Sequence, residues 1–224
     1  MIPLNSLTQV PQPLIKVCGL TSPQDSISCA QLGVDWLGFI FHPPSPRYVS
    51  PSKVRAFETL GSRRVGVFVG QGAEEILAIM AEARLDLAQL HGEQSLLVAR
   101  AIGAQRAIRV FWPERYGGRS DDWARDLELW SKEVAYFLFD AGLSGGGHGR
   151  QLDLQRSSPA GETWFSPRPY FLAGGLKPGD WPKLWPNDDP RLVGLDFNSG
   201  VEISPGVKDL LAIKALVAAR EIGV

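Results

Sequence analysis

The chain has 224 residues with 24 acidic and 23 basic side chains, which gives a formal net charge of −1. This balance excludes a strongly basic protein that binds nucleic acid or an anionic membrane surface through charge. The two cysteines are too few for a disulfide framework or a zinc site, and no apolar run is long enough to cross a membrane. A cytoplasmic protein without a structural metal is therefore expected.

The first predicted feature is a short N-terminal extension over residues 1–13, because this segment lacks the basic start and apolar stretch of a signal peptide. From Leu14 to the end of the chain, strand-like and helix-like patterns alternate. Residues 14–224 are therefore predicted to form one domain, and their number suits an α/β barrel.

The first predicted strand is a short apolar run over residues 14–17 that ends in Cys18 and Gly19. A serine followed by Pro23 then predicts the start of a helix, so Cys18 lies where a strand leads into a loop. A thiol there is partly exposed, and Lys16, two residues before it, points to the same side of the strand. Both features favour the thiolate. The alternative is an inert core cysteine, which is the commoner fate of a free thiol.

The other predicted elements continue this alternation. Strands are predicted over residues 34–41, 64–69, 85–90, 105–111, 134–140, 169–172 and 191–196. Helices are predicted over residues 23–32, 51–60, 73–83, 94–102, about 121–132, 178–184 and 207–220. Eight strands separated by helices predict an α/β fold with a parallel sheet closed as a single (β/α)8 TIM barrel. The competing doubly wound sheet usually carries Gly-x-Gly-x-x-Gly after its first strand, and that motif is absent here.

Polar side chains recur where the predicted strands end. In a barrel these ends share one face, and catalytic sites lie there. The candidates are Cys18, His42, Arg47, Gln89, His91, Arg109, Asp140, Asp196 and Ser199. Asp140 follows three apolar residues, so burial would raise its pKa and suit it to act as a general acid, although a capping role is equally plausible from this residue alone. A lone histidine such as His91 is more often structural.

Three glycine-containing segments resemble phosphate cradles, because glycine lets backbone N–H groups approach an anion. They are residues 145–149, Gly174-Gly175 and Ser199-Gly200. The last two follow the seventh and eighth predicted strands, where barrels commonly bind phosphate. The run at 145–149 could instead be a flexible lid.

Several motifs, in order along almost the whole predicted barrel, resemble the phosphoribosylanthranilate isomerase family of tryptophan biosynthesis. They are I-K-V-C-G-L-T at 15–21, S-P-R-Y-V-S-P at 45–51, V-G-V-F-V at 65–69, Q-L-H-G at 89–92, F-D-A at 139–141, L-A-G-G-L at 172–176, S-G-V-E at 199–202 and S-P-G-V-K-D at 204–209. The resemblance implies an Amadori rearrangement of N-(5′-phosphoribosyl)anthranilate, with no metal and no organic cofactor. The expected partner is this small phosphoribosyl substrate, and the expected state is a monomer or homodimer.

The resemblance also implies a role for each matching residue. Cys18 matches the general base that removes the C2′ proton, and Asp140 matches the general acid that protonates the ring oxygen. Arg47 matches the residue that binds the anthranilate carboxylate, and Asp196 lies near the amino group. The implied phosphate cradle is Gly174, Gly175, Ser199 and Gly200, and His91 is a further substrate-binding candidate.

Some positions depart from the family pattern. His148 stands near a usual threonine, and Asn198 replaces a usual serine. The segments at 112–130 and 157–169 resemble insertions and are predicted to pack on the surface.

Two other functions stay open. A histidine-pathway isomerase acting on a ribosyl-aminoimidazole would resemble a barrel with aspartates ending strands one and five, but here those strands end in Cys18 and Phe111. A non-catalytic phosphosugar-binding barrel or a thiol redox protein is the alternative from another class. For redox chemistry the second cysteine, Cys29, is poorly placed on a predicted helix.

Overall fold

The computed structural model describes residues 12–117, 119–141, 166–185 and 189–222. Its centre is a closed barrel of eight parallel strands in sequence order, β1 to β8, with β8 pairing β1. The strands are β1 Leu14–Val17, β2 Trp36–Ile40, β3 Arg63–Phe68, β4 Leu87–Leu90, β5 Ala107–Phe111, β6 Tyr136–Phe139, β7 Tyr170–Leu172 and β8 Leu192–Phe197. The predicted (β/α)8 barrel is confirmed.

In the described parts of the chain, helices follow most of the strands and cover the outside of the barrel. They are α1 Pro23–Gln31, α2 Pro51–Arg55, α3 Ala73–Glu82, α4 Leu96–Ile102, α5 Ser120–Ser131, α6 Trp181–Leu184 and α7 Leu210–Ile222. Helix α2 ends five residues earlier than the pattern predicts. The guanidinium of Arg64 donates hydrogen bonds to the carbonyl oxygens of Val54 and Phe57, which satisfies these groups without a further helical turn.

The last helix also begins later than predicted. A two-stranded antiparallel hairpin, β9 Glu202–Ser204 and β10 Val207–Lys208, takes the place of the predicted first turn. Gly206 has φ +83° in the turn, and Asp209 then caps α7 by accepting hydrogen bonds from the N–H groups of Leu211 and Ala212. The hairpin therefore stands between β8 and α7 at the carboxyl end of the barrel.

The strands bury both faces, as parallel strands do. Their outward side chains pack against the helices, and their inward side chains fill the barrel with a second cluster that includes Trp36 and Phe171, whose ring centroids lie 4.6 Å apart. Toward the carboxyl ends, the inward positions change to polar residues: Lys16, Gln89, Asp140 and Asp196 are all buried. The fold thus concentrates its buried polar groups at one mouth of the barrel.

Some predictions cannot be compared with this structure. Most of the predicted extension at 1–13, the glycine-rich run at 145–149 and most of the predicted insertion at 157–169 lie outside the described residues. Across the described ranges, none of the helices has the length and apolar character needed to span a membrane.

Candidate active site

A cavity of about 260 Å³ opens at the carboxyl mouth of the barrel. Nearly all the predicted site residues line it. They are Cys18, Arg47, His91, Asp140, Gly174, Gly175, Asp196 and Ser199, joined by His42 and Gln89. Gly200 lies beside Ser199 in the same turn. The barrel therefore brings together side chains that are up to 181 positions apart in the sequence, as Cys18 and Ser199 are.

Arg109 is the strand-exit candidate that the structure places elsewhere. It points away from the barrel interior, where its guanidinium lies over the Trp130 ring at 4.4 Å and donates a hydrogen bond to the carbonyl oxygen of Gly92 at 2.6 Å. It lines a separate surface pocket and has no part in the cavity at the mouth.

The Cys18 thiol lines the cavity beside a buried ion pair. Lys16 Nζ donates to Asp196 Oδ2 at 2.8 Å, and both side chains are buried. A strand exit predicts a partly exposed thiol with a lowered pKa, but Cys18 is 5% exposed. Burial raises its pKa, and the nearby Lys16 and Lys208 only partly oppose this effect. The expected low pKa of Cys18 is therefore wrong.

Asp140 is the second ionisable group facing the cavity. It is 3% exposed, and burial together with the charge of Asp196 raises its pKa to about 7. Its Oδ2 lies 3.9 Å from His91 Nε2. A carboxyl group with this pKa is protonated in about half of the molecules at neutral pH, as a general acid requires.

His91 is neutral in this site. Burial and the positive charge of Lys16 lower its pKa to about 3. Its Nδ1 lies 3.3 Å from Gln89 Nε2, and its ring contacts Trp112 edge to face with centroids 5.2 Å apart. His91 therefore faces Asp140 as a neutral ring rather than as an ion-pair partner.

The glycine turns predicted to hold phosphate follow β7 and β8, and these two turns pack closely. Gly174 and Gly175 have φ +102° and +62°, which favour glycine. A side chain at Gly174 would collide with Ala141, and one at Gly200 would collide with the carbonyl group of Leu176. The close packing of these two turns therefore requires glycine at Gly174 and Gly200, and Gly174, Gly175 and Ser199 line this side of the cavity.

Three functional candidates were not identified from the sequence. Glu202 accepts hydrogen bonds from Arg47, and Lys208 in turn contacts Glu202 at 2.8 Å. Trp112 belongs to the segment predicted to pack on the surface, yet it is 3% exposed and lies against His91. Glu202 and Lys208 both lie within motifs that carry the family resemblance. Their positions in these motifs are the sequence signal that could have identified them.

Comparison with known proteins identifies the family. The sequence model described as N-(5′-phosphoribosyl)anthranilate (PRA) isomerase matches residues 15–219. The chain belongs to the phosphoribosylanthranilate isomerase family. A family relative from Desulfovibrio desulfuricans is 49% identical, covering 94% of this chain and 97% of the relative. One from Maridesulfovibrio salexigens is 42% identical, covering 92% and 97%.

Solved structures of the phosphoribosylanthranilate isomerase family share the fold. The Thermus thermophilus enzyme has 30% identity and a TM-score of 0.72, and 93% of this chain and 98% of that one are covered. A Thermotoga maritima structure described as monomers of a dimeric enzyme has 29% identity and a TM-score of 0.74 over the same shares. A family structure in complex with reduced 1-(o-carboxyphenylamino)-1-deoxyribulose 5-phosphate has 29% identity and a TM-score of 0.71, again over 93% and 98%.

Proposed function

We propose that this chain is an N-(5′-phosphoribosyl)anthranilate isomerase that forms 1-(2-carboxyphenylamino)-1-deoxyribulose 5-phosphate with Asp140 as general acid and Cys18 as general base. The observation that supports these roles is one cavity that contains a thiol and a carboxyl group of raised pKa. The reaction is an isomerisation, so every atom of the substrate is kept and only protons move. Two positioned groups are sufficient for such transfers, and no electron or group carrier is needed.

Ring opening is the first step. Asp140 donates its proton to the ring oxygen, the bond between C1′ and this oxygen breaks, and the nitrogen lone pair forms a C1′=N⁺ iminium. A carboxylic acid with a pKa of about 7 is still protonated near neutral pH, whereas one at its ordinary value is not. Burial of Asp140 thus supplies the protonated form that this step consumes.

Loss of the C2′ proton is the second step. The iminium places a positive charge next to C2′, which acidifies that C–H bond and also favours a thiolate nearby. Cys18 takes the proton, the electron pair forms the C1′–C2′ double bond, and the enamine nitrogen becomes neutral. The resulting enol then tautomerises to the ketone of the product: C1′ takes a proton from Cys18, and the C2′ hydroxyl gives its proton to Asp140, which restores both groups. Lys16 and Lys208 favour the thiolate throughout this step.

The remaining site residues bind the substrate. Asp196 uses Oδ2 for Lys16, while its buried Oδ1 has no hydrogen-bond partner among the described residues and is available for the substrate N–H. Arg47 binds the anthranilate carboxylate, and His91 contacts the ribosyl portion near Asp140. The backbone of Gly174, Gly175, Ser199 and Gly200 holds the phosphate, since backbone N–H groups suit an anion.

The loss of phosphoribosylanthranilate fluorescence on addition of the purified chain tests this function. We expect the wild-type protein to convert this substrate, and an inactive wild-type protein would contradict the proposed function. A parallel assay with the histidine-pathway ribosyl-aminoimidazole substrate distinguishes the alternative isomerase. Binding of phosphosugar without conversion would favour the non-catalytic alternative.

Arg47→Ala is expected to raise the KM for phosphoribosylanthranilate by about tenfold to a hundredfold, because hydrogen bonds to charged groups contribute roughly 1.5–3 kcal/mol. We expect a smaller change in kcat, since the carboxylate lies away from C1′ and C2′. Steady-state kinetics measure both. Arg100→Ala, which removes an exposed arginine paired with Glu133, is the matched control. A kcat loss larger than the KM rise would contradict the binding role.

We also propose a cytoplasmic location, because a catalytic thiol is preserved in a reducing compartment. For the oligomeric state, a monomer or homodimer is proposed, and the Thermotoga maritima relative is described as dimeric. Sedimentation equilibrium distinguishes these states, and a larger assembly would contradict the proposal.

A further inference from the structure

We propose that Glu202 is a positioning residue that holds the Arg47 guanidinium in the one orientation that can bind the substrate carboxylate, with Lys208 balancing its charge. This inference rests on the proposed function. It adds to that function a buried three-residue cluster, Arg47–Glu202–Lys208, that sets substrate specificity without touching the reacting atoms.

The Arg47 guanidinium and the Glu202 carboxylate pair side by side, with two nitrogens facing two oxygens. Arg47 Nε lies 2.9 and 3.1 Å from the two carboxylate oxygens, and Nη2 lies 2.7 Å from Oε2. The Arg47 and Glu202 side chains are 12% and 3% exposed, so this is a largely buried pair. Such a paired, planar arrangement restricts the guanidinium to one plane and one rotation.

This pairing decides which part of Arg47 is left for a ligand. A guanidinium offers one edge formed by Nε and one η nitrogen, and a second, terminal edge formed by both η nitrogens. Glu202 occupies the first edge. Among the residues that the structure describes, the terminal edge of Arg47 is left to bind a second carboxylate, and Arg47 lines the catalytic cavity. A carboxylate on the anthranilate ring therefore meets a donor pair that is already oriented.

Lys208 gives the Arg47–Glu202–Lys208 cluster a net positive charge. Its Nζ lies 2.8 Å from Glu202 Oε1 and 3.3 Å from Asn198 Oδ1, and its side chain is fully buried. Burial alone would raise the pKa of Glu202, but the hydrogen bonds from Arg47 and Lys208 hold it below its ordinary value. Two cations and one anion give the cluster a charge of +1, which the substrate carboxylate neutralises.

The hairpin that carries Glu202 is fixed to the first βα unit. Thr21 Oγ1 donates to the carbonyl oxygen of Gly206 at 2.7 Å, and the N–H of Gly206 donates to Glu202 Oε1 at 3.2 Å. A side chain at Gly19 would lie 2.8 Å from Arg47 Cδ, so the loop after β1 packs directly against the arginine. The fold thus restrains both members of the pair: the hairpin turn contacts Glu202, and the loop after β1 contacts Arg47.

The test compares two substrates on the same protein preparation. One is phosphoribosylanthranilate, and the other is N-(5′-phosphoribosyl)aniline, which lacks the carboxylate. The ratio of their kcat/KM values measures carboxylate recognition and does not depend on the amount of folded protein. We expect Glu202→Gln to lower this ratio by about tenfold, since a neutral amide places N–H donors against those of Arg47 and no longer holds its plane. Glu202→Asp should give an intermediate ratio.

The controls separate positioning from general stability. Glu133→Gln removes the carboxylate of another arginine pair, that of Arg100, and should leave the ratio at its wild-type value. Arg47→Ala should collapse the ratio, and adding Glu202→Gln to it should change the ratio no further. A Glu202→Gln ratio within twofold of wild type would overturn the proposal. A wild-type protein that converts neither substrate would instead contradict the proposed function.

Discussion

Asp140→Asn is expected to lower kcat/KM for phosphoribosylanthranilate by about 10²- to 10⁴-fold, the usual contribution of a positioned general acid. The amide has nearly the same shape as the carboxyl group but has no acidic proton to give to the ring oxygen. Ring opening then depends on water, which the largely buried position of this side chain admits poorly. The fluorescence assay measures the rate, and circular dichroism verifies the fold.

The pH dependence of kcat/KM tests the role of the Asp140 proton more directly than a single rate does. The active form needs protonated Asp140, whose pKa is about 7, and deprotonated Cys18, whose pKa is raised above its ordinary value. Below pH 7 the rate should rise with pH as thiolate forms. Between 7 and the thiol pKa, the gain in thiolate offsets the loss of protonated acid, so the rate should stay level. Above the thiol pKa it should fall.

Asp140→Asn should remove the change of slope near pH 7, because only the thiol then titrates. Its residual kcat/KM should keep rising until Cys18 is deprotonated. Asp35→Asn is the matched control, since Asp35 pairs with Arg220 away from the cavity. A retained break near pH 7 in Asp140→Asn would assign that titration to another group.

The barrel was predictable because its signals are local. Each strand is a short apolar run, and each helix has its own start and stop residues. The wrongly predicted helix boundaries lie where a residue outside the helix determines its end. Helix α2 ends early where Arg64 donates to the carbonyl oxygens of Val54 and of Phe57 just beyond the helix, and α7 begins late because Asp209, rather than an earlier residue, caps it.

The site was predictable where barrel topology alone determines it. Once eight strands are placed, the exits of the first and sixth must share a face, so Cys18 and Asp140 meet in one cavity. The partner of Arg47 was not predictable this way, because Glu202 lies in a hairpin that resembles the start of a helix. Trp112 was misjudged because burial of an irregular segment depends on what packs over it.

The Cys18 pKa shows a different limit. The sequence places Lys16 beside the thiol, and this neighbour does lower the thiol pKa in the structure. The larger effect is desolvation, which depends on the depth of the whole mouth and has no local signature. Because burial favours the neutral thiol, a further positive charge is needed to favour the thiolate, and the iminium formed after ring opening supplies that charge.

Cys18→Ser and Cys18→Ala are expected to reduce kcat by about 10³-fold or more, since a serine hydroxyl is far less acidic than a thiol and alanine has no base at all. Binding should persist, because Arg47, Asp196 and the glycine turns that hold the substrate are unchanged. Calorimetry with reduced 1-(o-carboxyphenylamino)-1-deoxyribulose 5-phosphate should therefore give affinities within about threefold of wild type. Cys29→Ala is the matched control: Cys29 is also buried, but it lies in α1 outside the cavity, and burial raises its pKa to about 12. Equal turnover by wild type and Cys18→Ala would refute the assigned base, because alanine cannot take the C2′ proton and another group would then have to do so.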